Sequence, residues 1–397
     1  MAQTQDHVLI TVTGRDQPGI TATLTGILAE LGAHLLDIEQ VVIQRQLTLT
    51  MLIRLPESRG LLKELLFSAK ELGVELDFQP VDVNAPSPAE QRPSRRYVVT
   101  AISRSLGARE LHVLASTLSR HGGNIERISR LSEDGLGTVE ISLVLPSDAD
   151  PERLKRELLE LGMNSAFDVA LQREGLYRRS KRLVVMDMDS TLIRIEVIDE
   201  LARAHGVVDQ VSRITERAMA GEMDYDESLR QRVQLLKGLD VGALHKIASE
   251  LPLTEGAEVL VRALKRLGYR IAVISGGFSV AAEALKQRLG LDFAYSNVLE
   301  VHDGRLTGRV TGPIVNAQRK AELLESIARA EGVLLDQVIA VGDGANDLLM
   351  LQRAGLGIAF RAKQKLREAA DTSLSASGLD AILYLLGISS RELAEIV

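Results

Sequence analysis

The chain has 397 residues, of which 45% are hydrophobic and 25% charged, with a formal net charge of -7 and no cysteine. That length calls for two to four domains, and the missing cysteines exclude disulfides, zinc–thiolate sites and thiol catalysis. The acidic balance argues against broad attraction to nucleic acid or to an anionic membrane. No apolar run approaches the roughly eighteen residues of a membrane helix, and Met1–Asp6 lacks a leader pattern, so a cytoplasmic protein is expected.

Residues 1–85 open with the strand-like run Val8-Leu9-Ile10-Thr11-Val12 and the loop Gly14-Arg15-Asp16-Gln17-Pro18-Gly19-Ile20. Pro18 restricts the turn, and Gly19 lets a ligand approach backbone N–H groups at a helix start. Leu47, Leu49, Met51, Ile53 and Leu55 alternate as in a strand with one buried face. Asn84–Pro93 has no hydrophobic period, and four of the ten prolines fall between Pro80 and Pro93. That composition marks a linker, placed at 86–95.

Residues 96–172 repeat the first unit. Leu28–Ile38 has a counterpart in Leu118–Ile128, Val8–Val12 in Val98–Ile102, and Pro56 and Pro146 close matching alternating runs. Each copy reads strand, helix, strand, strand, helix, strand, a βαββαβ α+β unit. The second copy has Arg104-Ser105-Leu106-Gly107-Ala108-Arg109 where the first has its Pro-Gly loop.

From about residue 180 to 397 the pattern becomes α/β. Leu183–Met186, Arg270–Ile274 and Gln337–Val341 are continuous apolar runs that suit strands buried on both faces of a parallel sheet. A helical stretch at about 197–250 carries no strong strand signal and is expected to be a cap inserted over that sheet. Each buried run leads into a polar cluster, and ligands bind at the carboxyl ends of such strands. Asp187-Met188-Asp189-Ser190-Thr191 places two carboxylates where a divalent cation would relieve their repulsion. Asp187 is then a candidate nucleophile and Asp189 a candidate acid/base. Ser275-Gly276-Gly277 offers a hydroxyl and backbone N–H groups to an anion. Gly342-Asp343-Gly344-Ala345-Asn346-Asp347 offers oxygen ligands to a hard cation. Lys320 could neutralise charge on a phosphoryl group. Each cluster alone also reads as an ordinary turn, helix cap or surface lysine.

In this order the clusters resemble the haloacid dehalogenase superfamily of phosphohydrolases, which implies a Rossmann-like parallel sheet with a helical cap. The stretches Glu196–Arg232 and Thr254–Ala257 are similar to the phosphoserine phosphatase family. The resemblance implies Mg2+ as cofactor, held by Asp187, by Asp189 through its backbone, and by Asp343. It implies phosphate contacts from Ser275, Gly276 and Lys320, with support from Thr191, Asn346 and Asp347. Glu196 and Arg232 would meet the ammonium and carboxylate of phosphoserine, a pairing one fixed anion and one guanidinium suit. Met219 would lie beside the substrate or pack in the cap. The front units resemble ACT domains, which implies an amino-acid site near Asp16 and Gly19, L-serine as regulator, and a homodimer paired through these domains. The reading is a phosphoserine phosphatase acting through an aspartyl-phosphate in the last step of serine biosynthesis. Alternatives are the same chemistry on another phosphomonoester, or a catalytically dead sensor. His205, His245 and His302 fit no ligand spacing and read as surface or packing residues.

Overall fold

A computed structural model describes residues 7–56, 60–83, 94–103, 106–133, 137–165 and 167–396. The expected leaderless start, most of the linker and the Arg104-Ser105 turn lie outside the described residues. The chain divides into two compact units, Met1–Gln91 and Arg92–Val397.

The first unit runs β1 (His7–Arg15), α1 (Ile20–Glu30), β2 (His34–Ile43), β3 (Gln46–Arg54), α2 (Leu61–Glu71) and β4 (Val74–Pro80). Its antiparallel sheet has the order β2-β3-β1-β4. The two-residue period of β1 sends Val8, Ile10 and Val12 inward, where Leu24, Leu28 and Leu65 of the two helices cover them. Gly19 caps α1 with a left-handed φ of 101°, a conformation costly for a residue with a Cβ. The Pro18-Gly19 turn expected from the sequence is therefore formed at the helix start. Strand β2 is an edge and is exposed along its length.

The second unit begins with the repeat: β5 (Ser94–Ile102), α3 (Ala108–Arg120), β6 (Asn124–Arg130), β7 (Thr138–Pro146), α4 (Pro151–Ser165) and β8 (Asp168–Arg173). A one-turn helix, α5 (Leu176–Arg179), then leads to β9 (Leu183–Met186). Four helices follow as the cap: α6 (Val197–His205), α7 (Val208–Met219), α8 (Tyr225–Leu235) and α9 (Val241–Ser249). The chain returns through α10 (Ala257–Arg266), β10 (Arg270–Phe278), α11 (Ser279–Leu289), and the hairpin β11 (Phe293–His302) and β12 (Arg305–Thr311). It closes with α12 (Ala317–Ala330), β13 (Val338–Gly342), α13 (Leu348–Arg353), β14 (Leu356–Phe360), α14 (Gln364–Ala369), β15 (Thr372–Leu374), α15 (Ala381–Leu385) and α16 (Ser390–Ile396).

Strand β9 is central, parallel to β10 on one side and β13 on the other. All four of its side chains are fully buried, because helices cover both faces of the sheet. At about 1.5–3 kcal/mol for each buried aliphatic side chain, this strand anchors the catalytic core. Parallel pairing continues through β14 to β15. There the sheet crosses into the repeat: β15 meets β8 antiparallel at Thr372 and Ala170. The result is one eleven-stranded sheet in the order β12-β11-β10-β9-β13-β14-β15-β8-β5-β7-β6. The second repeat thus packs as part of the catalytic unit, a join the repeat pattern did not reveal. Among the described residues no helix is long and apolar enough to cross a membrane.

Candidate active site

Three parallel strands carry the polar clusters to one end of the sheet. Asp187 follows β9, Ser275 and Gly276 lie in β10, and Asp343 follows β13. The Asp187 N–H donates to Val341 O at 2.9 Å, so the ladder between β9 and β13 continues into the site. Oxygen atoms of Asp187, Asp343 and Asp347 all lie within 4.8 Å of one another. The separation of more than 150 positions between Asp187 and Asp343 is closed by the sheet alone.

Lys320 projects from α12 into this cluster and is fully buried. Its Nζ lies 2.8 Å from Asp187 Oδ1 and 2.7 Å from Asp347 Oδ1. Burial works against its charge, but the two carboxylates outweigh that and hold its pKa above the ordinary lysine value. It is no surface lysine. Asp347 also accepts from the N–H groups of Asp343, at 3.2 Å, and Gly344, at 3.0 Å. A Cβ on Gly342 would lie 2.4 Å from Asp347 Cγ, so this approach requires glycine. Asp347, for which the resemblance implied only support, is the third carboxylate of the cluster.

Burial pushes Asp187 well above the ordinary carboxylate range, and the charge of Asp347 adds to this against the pull of Lys320. Asp343 is pushed up to about 7, first by burial and then by Asp347. Three carboxylates facing one lysine leave an excess of buried negative charge, and all the donors are oxygen. A hard divalent cation fits that set.

Asp189 sits in an irregular turn over 188–192 that Ser190 allows by adopting a left-handed φ of 57°. Its side chain leaves the carboxylate cluster. Oδ1 accepts from Val197 N at 2.9 Å, at the start of the cap, and Oδ2 from Ser275 Oγ at 3.1 Å. Burial and the nearby charge of Glu196 push its pKa up to about 7. Thr191 Oγ1 donates to Asp343 Oδ1 at 3.0 Å, which ties the first and third clusters.

The cap supplies the rest. Glu196 precedes α6, accepts from Ser190 Oγ at 2.7 Å, and lies near enough to raise both Asp189 and Asp343. Arg232 is half-buried on α8, its Nε 3.3 Å from Ser228 O. Tyr225, in the first turn of α8, shows that cap and core converge. Its hydroxyl, pushed up to about 12 by burial, feels the charges of Lys320, Arg232, Asp187 and Asp189 together. It donates to Gly276 O at 3.2 Å, and a Cβ on Gly276 would lie only 2.0 Å from that hydroxyl. Asn297 Nδ2 donates to the same carbonyl at 2.7 Å. Sequence reasoning missed both residues. Tyr225 stood within the quoted cap stretch without a role, and Asn297 had no motif to signal it.

Two expectations gain no such support. Met219 ends α7 with 65% of its surface exposed and its sulfur 3.6 Å from Lys363 Nζ, so it does not pack in the cap core. Asn346 is half-buried beside Gly344, outside the carboxylate cluster. The ring of His205 hydrogen-bonds the Lys237 carbonyl at 3.1 Å, in line with a surface or packing role.

Comparison with known proteins agrees with this geometry. Residues 181–355 match the haloacid dehalogenase-like hydrolase family, and residues 6–79 and 96–172 match ACT domains. A phosphoserine phosphatase of Streptomyces coelicolor is 44% identical over 98% of this chain and 95% of its own. Phosphoserine phosphatase SerB2 of Mycobacterium tuberculosis is 42% identical over 97% of this chain and 94% of its own. The crystal structure of a haloacid dehalogenase family hydrolase from Salmonella enterica superposes with a TM-score of 0.65 at 30% identity, covering 73% of this chain and 98% of that one. With near full-length identity of this order and a phosphatase site assembled at the strand ends, the chain belongs to the phosphoserine phosphatase family of haloacid dehalogenase-like hydrolases, carrying two ACT domains ahead of the catalytic domain.

Proposed function

We propose that this enzyme hydrolyses O-phospho-L-serine to L-serine and phosphate through an aspartyl-phosphate on Asp187, as the last step of serine biosynthesis. The observation that carries the reading is the Asp187–Lys320–Asp347–Asp343 cluster beside an Asp189 poised near neutrality. An Asp187 oxygen attacks phosphorus while the bond from phosphorus to the serine oxygen breaks, and the proton on Asp189 passes to that oxygen. Asp189 then takes a proton from water, the water oxygen attacks phosphorus, and the bond to Asp187 breaks to release phosphate. A group with a pKa near the working pH suits both transfers.

Lys320, Ser275 and the Gly276 N–H hold the phosphoryl oxygens, with Asn346 at the rim. Glu196 takes the substrate ammonium, Arg232 its carboxylate, and Met219 borders the entrance. Thr191 and Asp347 keep Asp343 and Lys320 in place. Asp187, the backbone carbonyl of Asp189 and Asp343 would hold Mg2+, which when bound neutralises phosphoryl charge.

Product feedback by L-serine through the ACT domains completes the reading, with Asp16 and Gly19 at the first site. A homodimer is expected through these domains. It is supported by the exposed edge of β2, where Leu35, Leu36, Ile38, Val41, Val42 and Ile43 face outward. A cytoplasmic setting accords with a chain free of cysteine.

The test is phosphate release from O-phospho-L-serine with Mg2+. Asp187→Asn should abolish it, and equal rates would discard the mechanism. Alanine at Glu196 and Arg232 should cost phosphoserine turnover far more than turnover of p-nitrophenyl phosphate. Equal losses would point to another phosphomonoester.

A further inference from the structure

Between the second repeat and the catalytic sheet lies a half-open cavity of about 640 Å³, in the size range of small-molecule sites. It touches no residue of the active site. Its lining includes Glu152 and Lys155 on α4, Arg178 and Lys181 on the connector between β8 and β9, and Asp371 before β15.

Charge is largely sorted by depth in this cavity: the most buried charged groups are basic, and the rim is mainly acidic, with the exposed Arg173 the exception. Lys181 is 6% exposed, and among the described residues its ammonium makes one hydrogen bond, to Asp336 O at 2.6 Å, leaving two of three donors without a partner there. Arg178 has only 3% of its side chain exposed. One end of its guanidinium pairs with Glu140, while its buried Nε–H has no partner among the described residues. Lys155 has 17% of its side chain exposed and approaches Asp371 only at 3.5 Å. The acids are nearer to solvent: Asp371 has 46% of its side chain exposed, and Glu152 is an exposed residue of the first turn of α4. Buried cationic donors left unpaired are costly, and a ligand that satisfies them recovers that cost.

We propose that this cavity binds a small α-amino acid, with its carboxylate on Lys181 and the Arg178 Nε–H and its ammonium toward Asp371 and Glu152. A bare anion would satisfy the floor but meet the acidic rim, whereas a zwitterion matches both. Burial pushes the Lys181 amine down to about 8 against the pull of Asp336 and Asp371, and an incoming carboxylate would further favour its charged form. The site takes groups from the ACT domain, the connector and the catalytic domain together, so occupancy ties the sensing module to the catalytic sheet. The choice of L-serine as the amino acid rests on the feedback reading above.

The experiment is equilibrium dialysis of labelled L-serine against the full-length Mg2+-loaded protein. An Arg232→Ala background keeps product binding in the active site out of the count. Lys181→Met and Asp371→Asn should each weaken one site by about tenfold or more, the worth of a charge-assisted hydrogen bond, while Asp16→Ala leaves that site intact. Asp371 is half-exposed, so its variant reports even if Lys181→Met fails to fold. A binding isotherm in both variants that keeps the parent's number of serine sites and affinities overturns the cavity site and leaves feedback standing. Absence of any serine binding at millimolar concentration overturns both. Lys181-dependent binding of inorganic phosphate in place of serine overturns the amino-acid assignment.

Discussion

Lys320→Met tests how the buried charges of the active site hold one another. Methionine keeps most of the side-chain volume, so the change is chiefly the loss of one positive charge. In the parent, Nζ sits 2.8 Å from Asp187 and 2.7 Å from Asp347 with no exposure to water. Without it, carboxylates within 4.8 Å of one another face no cation. Two like charges at that distance repel by about 3–4 kcal/mol at an effective dielectric constant near 20. That agrees with the roughly 3–5 kcal/mol typical of breaking a buried pair. The penalty must depend on pH. A buried carboxylate whose folded pKa is raised above the unfolded value binds more protons folded than unfolded, so stability falls as pH rises through this range. Protonating an ordinary carboxylate at pH 5 costs only about 1.5 kcal/mol, and this route caps the penalty there. Urea unfolding in EDTA should therefore show a deficit of about 3–5 kcal/mol at pH 8 and about 1.5 kcal/mol at pH 5. Added Mg2+ should narrow the gap at pH 8. Equal midpoints for variant and parent at pH 8, or a larger deficit at pH 5, would refute the account.

Tyr225→Phe keeps the ring and removes the hydroxyl that donates to Gly276 O. A neutral hydrogen bond of about 0.5–1.5 kcal/mol is lost, so kcat/KM for phosphoserine should fall roughly 2–10-fold with little change in Tm. Steady-state kinetics identical to the parent's would remove Tyr225 from the phosphate loop. Asp168→Ala strips the acceptor from Ser375 N, at 2.7 Å, and Ala376 N, at 3.1 Å. Leaving these groups unpaired should cost about 2–4 kcal/mol, and an unchanged urea midpoint would contradict it. EDTA should abolish phosphatase turnover and Mg2+ restore it, and turnover that persists after chelation would show that the carboxylate cluster works without a cation.

The site was legible because its parts sit where buried strands end. Asp187, Ser275 and Asp343 each follow a run of apolar residues, and a parallel sheet brings such ends together whatever the sequence distance. The first βαββαβ unit was legible from alternation, since Leu47, Leu49, Met51 and Ile53 of β3 form one buried face, and the second from its repeat of that pattern, although β7 is buried on both faces. Lys320 read as an ordinary surface lysine until its company was considered, because nothing local to α12 announces that this position faces two carboxylates. Tyr225 and Asn297 escaped because their role is to bind one backbone carbonyl, which no spacing encodes. The β8–β15 join escaped because β15 is three residues long and its pairing is purely tertiary.

That join changes what the second ACT domain can do. A domain on a flexible tether could report ligand only by docking and undocking, whereas this one is built into the sheet. Asp168 caps the loop after β15, Gln172 Nε2 donates to Leu385 O at 3.1 Å, and Arg178 pairs with Glu140 in a nearly dry setting. Rotation of the domain would break these contacts at once, leaving a buried guanidinium and two backbone N–H groups unpaired, which makes free swinging energetically expensive. Smaller displacements are cheaper, and the sheet gives them a route. Strand β15 pairs with β14, β14 pairs with β13, and β13 ends on Asp343. A ligand bound beside Asp371 would act on the first of these strands, two pairings from the carboxylate opposite Asp187. Physical continuity of this kind makes a small adjustment at the carboxylate cluster the cheaper way for ligand to bias catalysis than opening of the whole domain interface.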